Sequence, residues 1–354
     1  MLLTNSNCWR SLTLTLLLII CWLASPALSQ AQFYQGKTLT ILQSSDPGDT
    51  SDTMVRATIP VLRKHIPGEP TIAYQYMPGG GGTKAANHIF HNTKPDGLTI
   101  GRIGGGLVAN AALKEAGVLY DLDKLIYLGS AHSTYHWVFI TRRDAGFGTL
   151  EALRQAPGIR IGAQAVGHSN YFVGRLFAWL IGLKEPKMLV GYSGNEQDIA
   201  LARGEIDGRV NNPDTLVRRN ADMLAKGMID IHAIMEVPRG LKQSGFDRLP
   251  EIDEFAKTAR ERRLTSMVRA FRQVGSPYIL PPGTPVEQLK LLRQAFSKTF
   301  SDPEFHKEYK KMVGEEPTPI LPEEMEKLVK DLPRDPEIID LFKRINAAGP
   351  LPPR

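Results

Sequence analysis

Three short segments of this chain gather residue types suited to holding a small anion largely through backbone groups. The first runs Ser44-Ser45-Asp46-Pro47-Gly48-Asp49-Thr50-Ser51-Asp52, the second Met77-Pro78-Gly79-Gly80-Gly81-Gly82-Thr83, and the third Ala165-Val166-Gly167-His168-Ser169. Each follows an apolar, strand-like run and precedes a helical pattern. At such a junction, free N–H groups and the helix dipole attract an anion without any charged side chain, and glycine lets the backbone come close. The tetraglycine is not a nucleotide phosphate loop, because Lys84 follows Thr83 where G-x-x-x-x-G-K-[ST] requires it before. Gly101-Arg-Ile-Gly-Gly-Gly106 likewise fails G-x-G-x-x-G, so no nucleotide cofactor is expected.

Catalytic and metal chemistry find little support. His88 and His91, or His132 and His136, have helical spacing, but no acidic neighbour completes H-E-x-x-H. Ser169 lacks the G-x-S-x-G elbow, since Tyr171 stands where glycine is needed, and it reads as a helix-start residue. Asp46, Asp49 and Asp52 lack the spacing of a calcium loop and read as helix-start carboxylates. Both cysteines, Cys8 and Cys21, fall near the amino terminus, which leaves the remainder without thiolate metal sites or disulfides. No catalytic residue, metal or cofactor is expected.

These loops need elements to position them. Arg10, the apolar run from Leu12 to Leu23 and the small residues from Ala24 to Ser29 have the order of a cleaved export signal, expected over 1–29, with cleavage after Ser29 or Ala31. The run is too short for a comfortable membrane span. The rest is long enough for two domains and has a spread net charge of +6 over the whole sequence, without the basic stripe of a nucleic-acid binder. Strand-like segments at 37–43, 71–76 and 97–101 alternate with helical ones at 52–64 and 84–92. A second such set begins at Trp137, with strands near 159–162, 188–190, 206–210 and 229–234. The stretch 272–280 reads as a return strand before the turn Pro281-Pro282-Gly283-Thr284-Pro285, with two helices and a Pro-rich tail after it. The expectation is two α/β lobes, each a mostly parallel sheet flanked by helices, with 30–130 and 260–354 in one and 131–259 in the other.

The ordered set of motifs resembles a known family. His65-Ile-Pro-Gly-x-Pro70, Met77-Pro-Gly-Gly-Gly-Gly82, Ala85-Ala-Asn87 and Pro95-Asp-Gly-x-Thr-Ile-Gly101 are followed by Gly191-Tyr-Ser-Gly194, Ala202-Arg-Gly-Glu-Ile-Asp-Gly208 and Pro281-Pro-Gly-Thr-Pro285. Together they are similar to the periplasmic receptors of tripartite tricarboxylate transporters, the Bug family. The resemblance implies a two-lobed Venus-flytrap fold that binds an organic acid between its lobes, acts as a monomer and hands its ligand to a two-subunit inner-membrane permease. It implies ligand contacts at Ser45, Pro47, Gly48, Asp49 and Thr50, at Gly80 and Gly81, at Gly167, His168 and Ser169, and at Tyr192, Ser193, Gly194 and Asn212. A sensor for a signalling partner and a periplasmic enzyme are the alternative readings. One departure stands out: where the family usually reads Pro-Gly-Gly, this chain has Pro47-Gly48-Asp49. A carboxylate there would repel an anionic ligand unless it is paired.

Overall fold

The segments expected as strands form two separate five-stranded sheets in the computed structural model, which describes residues 33–354. The expected export signal and both cysteines lie outside the described residues. The strands are β1 (Thr38–Gln43), β2 (Thr71–Tyr76), β3 (Thr99–Arg102), β4 (Ile126–Tyr127), β5 (Trp137–Arg142), β6 (Arg160–Ala163), β7 (Lys187–Val190), β8 (Gly208–Asn211), β9 (Ile229–Met235) and β10 (Tyr278–Leu280). The first sheet has the order β2-β1-β3-β10-β4 and the second β7-β6-β8-β5-β9.

Within each sheet the first three strands are parallel, and the fourth runs against both of its neighbours. The reversed strands, β5 and β10, are the ones through which the chain enters a sheet after crossing from the other half. Residues 128–136 make the outward crossing, and the return passes through a helix to β10. Strand β5 is buried on both faces from Trp137 to Thr141, and β1 from Ile41 to Gln43, as helices covering a central sheet require.

The helices are α1 (Thr50–His65), α2 (Thr83–Asn87), α3 (Leu107–Leu113), α4 (Leu150–Gln155), α5 (Ser169–Ile181), α6 (Gly194–Ala202), α7 (Pro213–Arg219), α8 (Ala221–Ala225), α9 (Ala259–Gln273), α10 (Val286–Ser301), α11 (Pro303–Val313), α12 (Pro322–Lys330) and α13 (Pro336–Asn346). The Pro-rich tail holds two of these. Pro322 and Pro336 sit in the first turn of their helices, where the missing N–H costs nothing. The return strand is shorter than its sequence implied: α9 runs through Arg272 to Gln273, and only Tyr278–Leu280 pairs with β3 and β4.

One apolar cluster reaches from Leu42 and Ile103 of the first half to Phe139 and Phe177 of the second, through Phe271 of α9 and Phe342 of α13. Helices α10 and α11 pack on α1 of the first half, whereas α13 lies against α5 of the second. The last residues follow α13 there: Trp179 Nε1 donates to the Pro352 carbonyl at 2.8 Å, and Arg354 donates to the Leu180 carbonyl at 2.7 Å and pairs with Glu261. Covered in this way, α5 is buried along its whole length, which explains its apolar residues on every side.

Candidate functional site

The carboxyl ends of the parallel strands of both sheets point into one cleft, where ligands of open α/β sheets bind. Ser44 and Ser45 follow β1, Gly104 and Gly105 follow β3, Gln164 follows β6, and Asn212 follows β8. They enclose a cavity of about 120 Å³, together with Asp49, Thr50, Gly81, Tyr135, Trp137, His168, Ser169, Gly194, Arg209, Thr215, Arg219 and Arg272. That is the scale of the ~150 Å³ cavity that accepts benzene, so the space suits a ligand of only several heavy atoms.

The two halves meet through bare backbone. Gly81 has φ +62°, and a Cβ on it would stand 2.1 Å from the Gly167 carbonyl oxygen; one on Gly106 would lie 2.4 Å from the same atom. Thr50 and Thr215 also approach across the cleft, with their hydroxyls 3.3 Å apart.

Asp49 resolves the departure seen in the sequence. It begins α1 but makes no side-chain cap bond to that helix. Its carboxylate instead crosses to the second half, where Gln164 Nε2 donates to it at 3.4 Å and the Gly194 N–H at the start of α6 faces it, with Arg219 beside it. Burial, and then Asp46, push its pKa upward, against Arg219 and the backbone donors. The start of α6 is fixed by a capping box in which Ser193 Oγ accepts from Glu196 N while Ser193 N donates to the Glu196 carboxylate. Asp52 is absorbed differently. Burial would raise its pKa, but donors from Gly48, Arg56, Gln43 and Tyr76 outweigh that and hold it below the ordinary range.

Three guanidiniums line the cavity. Arg209 and Arg219 share the Asp198 carboxylate, the first at 2.5 Å, and both donate to the Gly194 carbonyl. Arg272 differs. It is 4% exposed, stacks over the Tyr135 and Trp137 rings at 5.2 Å from each centroid, and donates to the Gly105 carbonyl at 3.1 Å. No carboxylate of the described residues pairs with it, and its Nε has no hydrogen-bond partner. Burial lowers its pKa to about 10, which leaves it charged at neutral pH. The Trp137 indole N–H and the Ser45 hydroxyl are also buried without partners. His168 caps α5 and is neutral, since burial depresses its imidazole to about 4.

Of the residues singled out in the sequence, Ser45, Asp49, Thr50, Gly81, His168, Ser169, Gly194 and Asn212 line the cavity. The others lie outside the lining. Pro47 and Gly48 are exposed, with the Gly48 N–H turned to Asp52. The Gly80 carbonyl accepts from Asn110, Gly167 forms the contact between the halves, Tyr192 packs against the apolar cluster that includes Leu201 and Ile206, and Ser193 is spent on its capping box. Sequence reasoning missed Gln164, Arg209, Arg219, Arg272, Tyr135 and Trp137. In the sequence Arg219 carries no signal beyond its charge, and Arg272 falls in the expected return strand, whereas it lies near the end of α9.

Known structures share this architecture. The periplasmic binding protein BugD superposes with a TM-score of 0.68 at 18% identity, over 88% of this chain and 98% of its own. MatC from Rhodopseudomonas palustris, solved with bound malate, gives 0.65 at 19% identity over 88% and 99%. Another R. palustris protein, solved with adipate, gives 0.64 at 17% over 87% and 96%. The chain has the fold of periplasmic solute-binding receptors. No protein-family model and no curated protein matches it by sequence. In this receptor fold the cleft between the sheets is where the cavity and its unpartnered donors lie.

Proposed function

We propose that the chain is an extracytoplasmic receptor that binds a small organic acid between its two halves, returns it unchanged and delivers it to a two-subunit permease of the tripartite tricarboxylate type. The observation that carries this reading is that three residues lining one interlobe cavity, Arg272, Trp137 and Ser45, each carry a buried donor without a partner, Nε, Nε1 and Oγ. A buried donor left unmatched costs about 1–3 kcal/mol, and more when charged, so three at one site favour an acceptor-rich ligand. A carboxylate supplies several lone pairs and a charge for the guanidinium. The malate and adipate held by two proteins of this fold support the same class. The export-signal pattern of the amino-terminal sequence supports a periplasmic location for this receptor.

A thermal-shift screen of organic acids tests the reading. A ligand at a hundred times its Kd stabilises the folded state by about 2.7 kcal/mol, a clear rise in Tm, and mass spectrometry should recover it unaltered. A panel of C3 to C6 acids that leaves Tm unmoved would sink the proposal.

A further inference from the structure

Charge balance in the cavity narrows the ligand, an argument that rests on the receptor reading above. The lining holds the guanidiniums of Arg209, Arg219 and Arg272, while Asp198 is shared by the first two and Asp49 lies beside Arg219. His168 is neutral. Arg102 lies behind the lining, donating to Ser51 Oγ at 2.8 Å. Three positive charges against two negative ones leave one unmatched cation in the lining, Arg272, and the buried Arg102 behind it, which no carboxylate of the described residues pairs either, adds to the positive field there.

The position of Asp49 matters as much as its sign. The start of α6, with its free Gly194 N–H and adjacent Arg219, would otherwise welcome a second ligand carboxylate. Asp49 from the other half already faces it, held also by Gln164. We infer that this receptor selects small monocarboxylates over dicarboxylates, with Arg272 as the residue that takes the ligand's carboxylate and Asp49 as the residue that excludes a second one. The far end of the ligand then meets hydroxyls and amides, Thr50, Thr215, Gln164 and Asn212, which match a neutral hydrogen-bonding group. The rings of Tyr135 and Trp137 beside Arg272 give an apolar wall for the carbon chain.

Calorimetric titration of the purified protein with size-matched sets differing only in charge provides the test. Succinate, succinamate and succinamide form one such set, within a panel of C3 to C6 monoacids and their matching diacids. The expected result is that monoacids bind at least about tenfold more tightly than matching diacids, the direction set by like-charge repulsion at Asp49. Arg272→Gln should weaken monoacid binding by about thirtyfold or more, with Arg272→Lys partly restoring it. Asp49→Asn should do the opposite for diacids and raise their affinity roughly tenfold, a gain that misfolding cannot produce. A diacid bound by the native protein as tightly as its matching monoacid, or an Asp49→Asn variant with no gain for diacids, overturns the inference and leaves the receptor reading standing. Failure of every acid to bind overturns both.

Discussion

At the scale of single residues, the site depends on what two side chains and one glycine do across a gap. Gly81 is the sharpest case. Alanine there would carry a left-handed backbone cost of about 1 kcal/mol or more, but its larger effect is the collision with Gly167, which arises only when the halves meet. Gly81→Ala should therefore lower Tm by a few degrees while weakening ligand binding by roughly a hundredfold or more, the collision far exceeding ordinary contact distance. Parallel calorimetry and thermal melts check this, and unchanged affinity would show that binding does not need this contact. How far such residues were legible differs by type. The glycines announced themselves by their run, and Asp49 by interrupting a familiar one. Its direction was not legible, because the partners that decide it, Gly194, Gln164 and Arg219, are remote in sequence. Arg272 was hidden for the same reason: an arginine without a counter-ion is a property of tertiary surroundings, not of neighbours in the chain.

Elements were easier to read where burial imposes a period. Apolar runs marked the principal strands of both sheets, and α1 and α5 showed in their apolar patterns. The carboxy-terminal helices were masked by prolines, although Ile338, Leu341, Phe342 and Ile345 of α13 have the i, i+3, i+4, i+7 spacing of a buried face. Reading 272–280 as one strand failed because a three-residue strand is specified by its sheet neighbours more than by its own sequence. Two expectations belong at this scale. Removing residues 350–354 uncovers Trp179 and strips the donors that Arg354 gives to Leu180, Phe255 and Glu261, so Tm should fall by several degrees, as calorimetry would show. Ser193→Ala removes the cap of α6 at a cost of about 1 kcal/mol, read from the urea midpoint. A midpoint that did not move would mean that Gly194 and Asp49 hold this helix end without the cap.

Across the whole molecule the halves are also joined by acids. Glu315, which follows α11 of the first half, bonds to Asp214 at the start of α7 in the second. Burial, and then Asp214, raise its carboxyl to about 10. His132 Nε2 lies 3.5 Å away, yet burial lowers that imidazole to about 4, so both groups are neutral at pH 7 and the contact is not an ion pair. Because the folded-state pKa of Glu315 is raised, its contribution to stability is complete below the unfolded value near 4.5 and is lost as pH climbs toward 10. The neutral histidines His132, His168 and His232, each depressed to about 4, act with the opposite sign below about pH 6.5. Above pH 7 the Glu315 effect should therefore show alone, at up to about 1.4 kcal/mol per pH unit. Urea unfolding between pH 7 and 9 should reveal a decline that Glu315→Gln flattens, and equal slopes in the two proteins would refute it. Asp49 carries a different consequence at this scale. Being part of the chain, it acts as an intramolecular competitor for the start of α6, with an effective concentration on the order of millimolar. A free diacid at micromolar levels cannot dilute or outrun a rival that never leaves, so discrimination against it would persist however much of it the surroundings contain, up to that concentration.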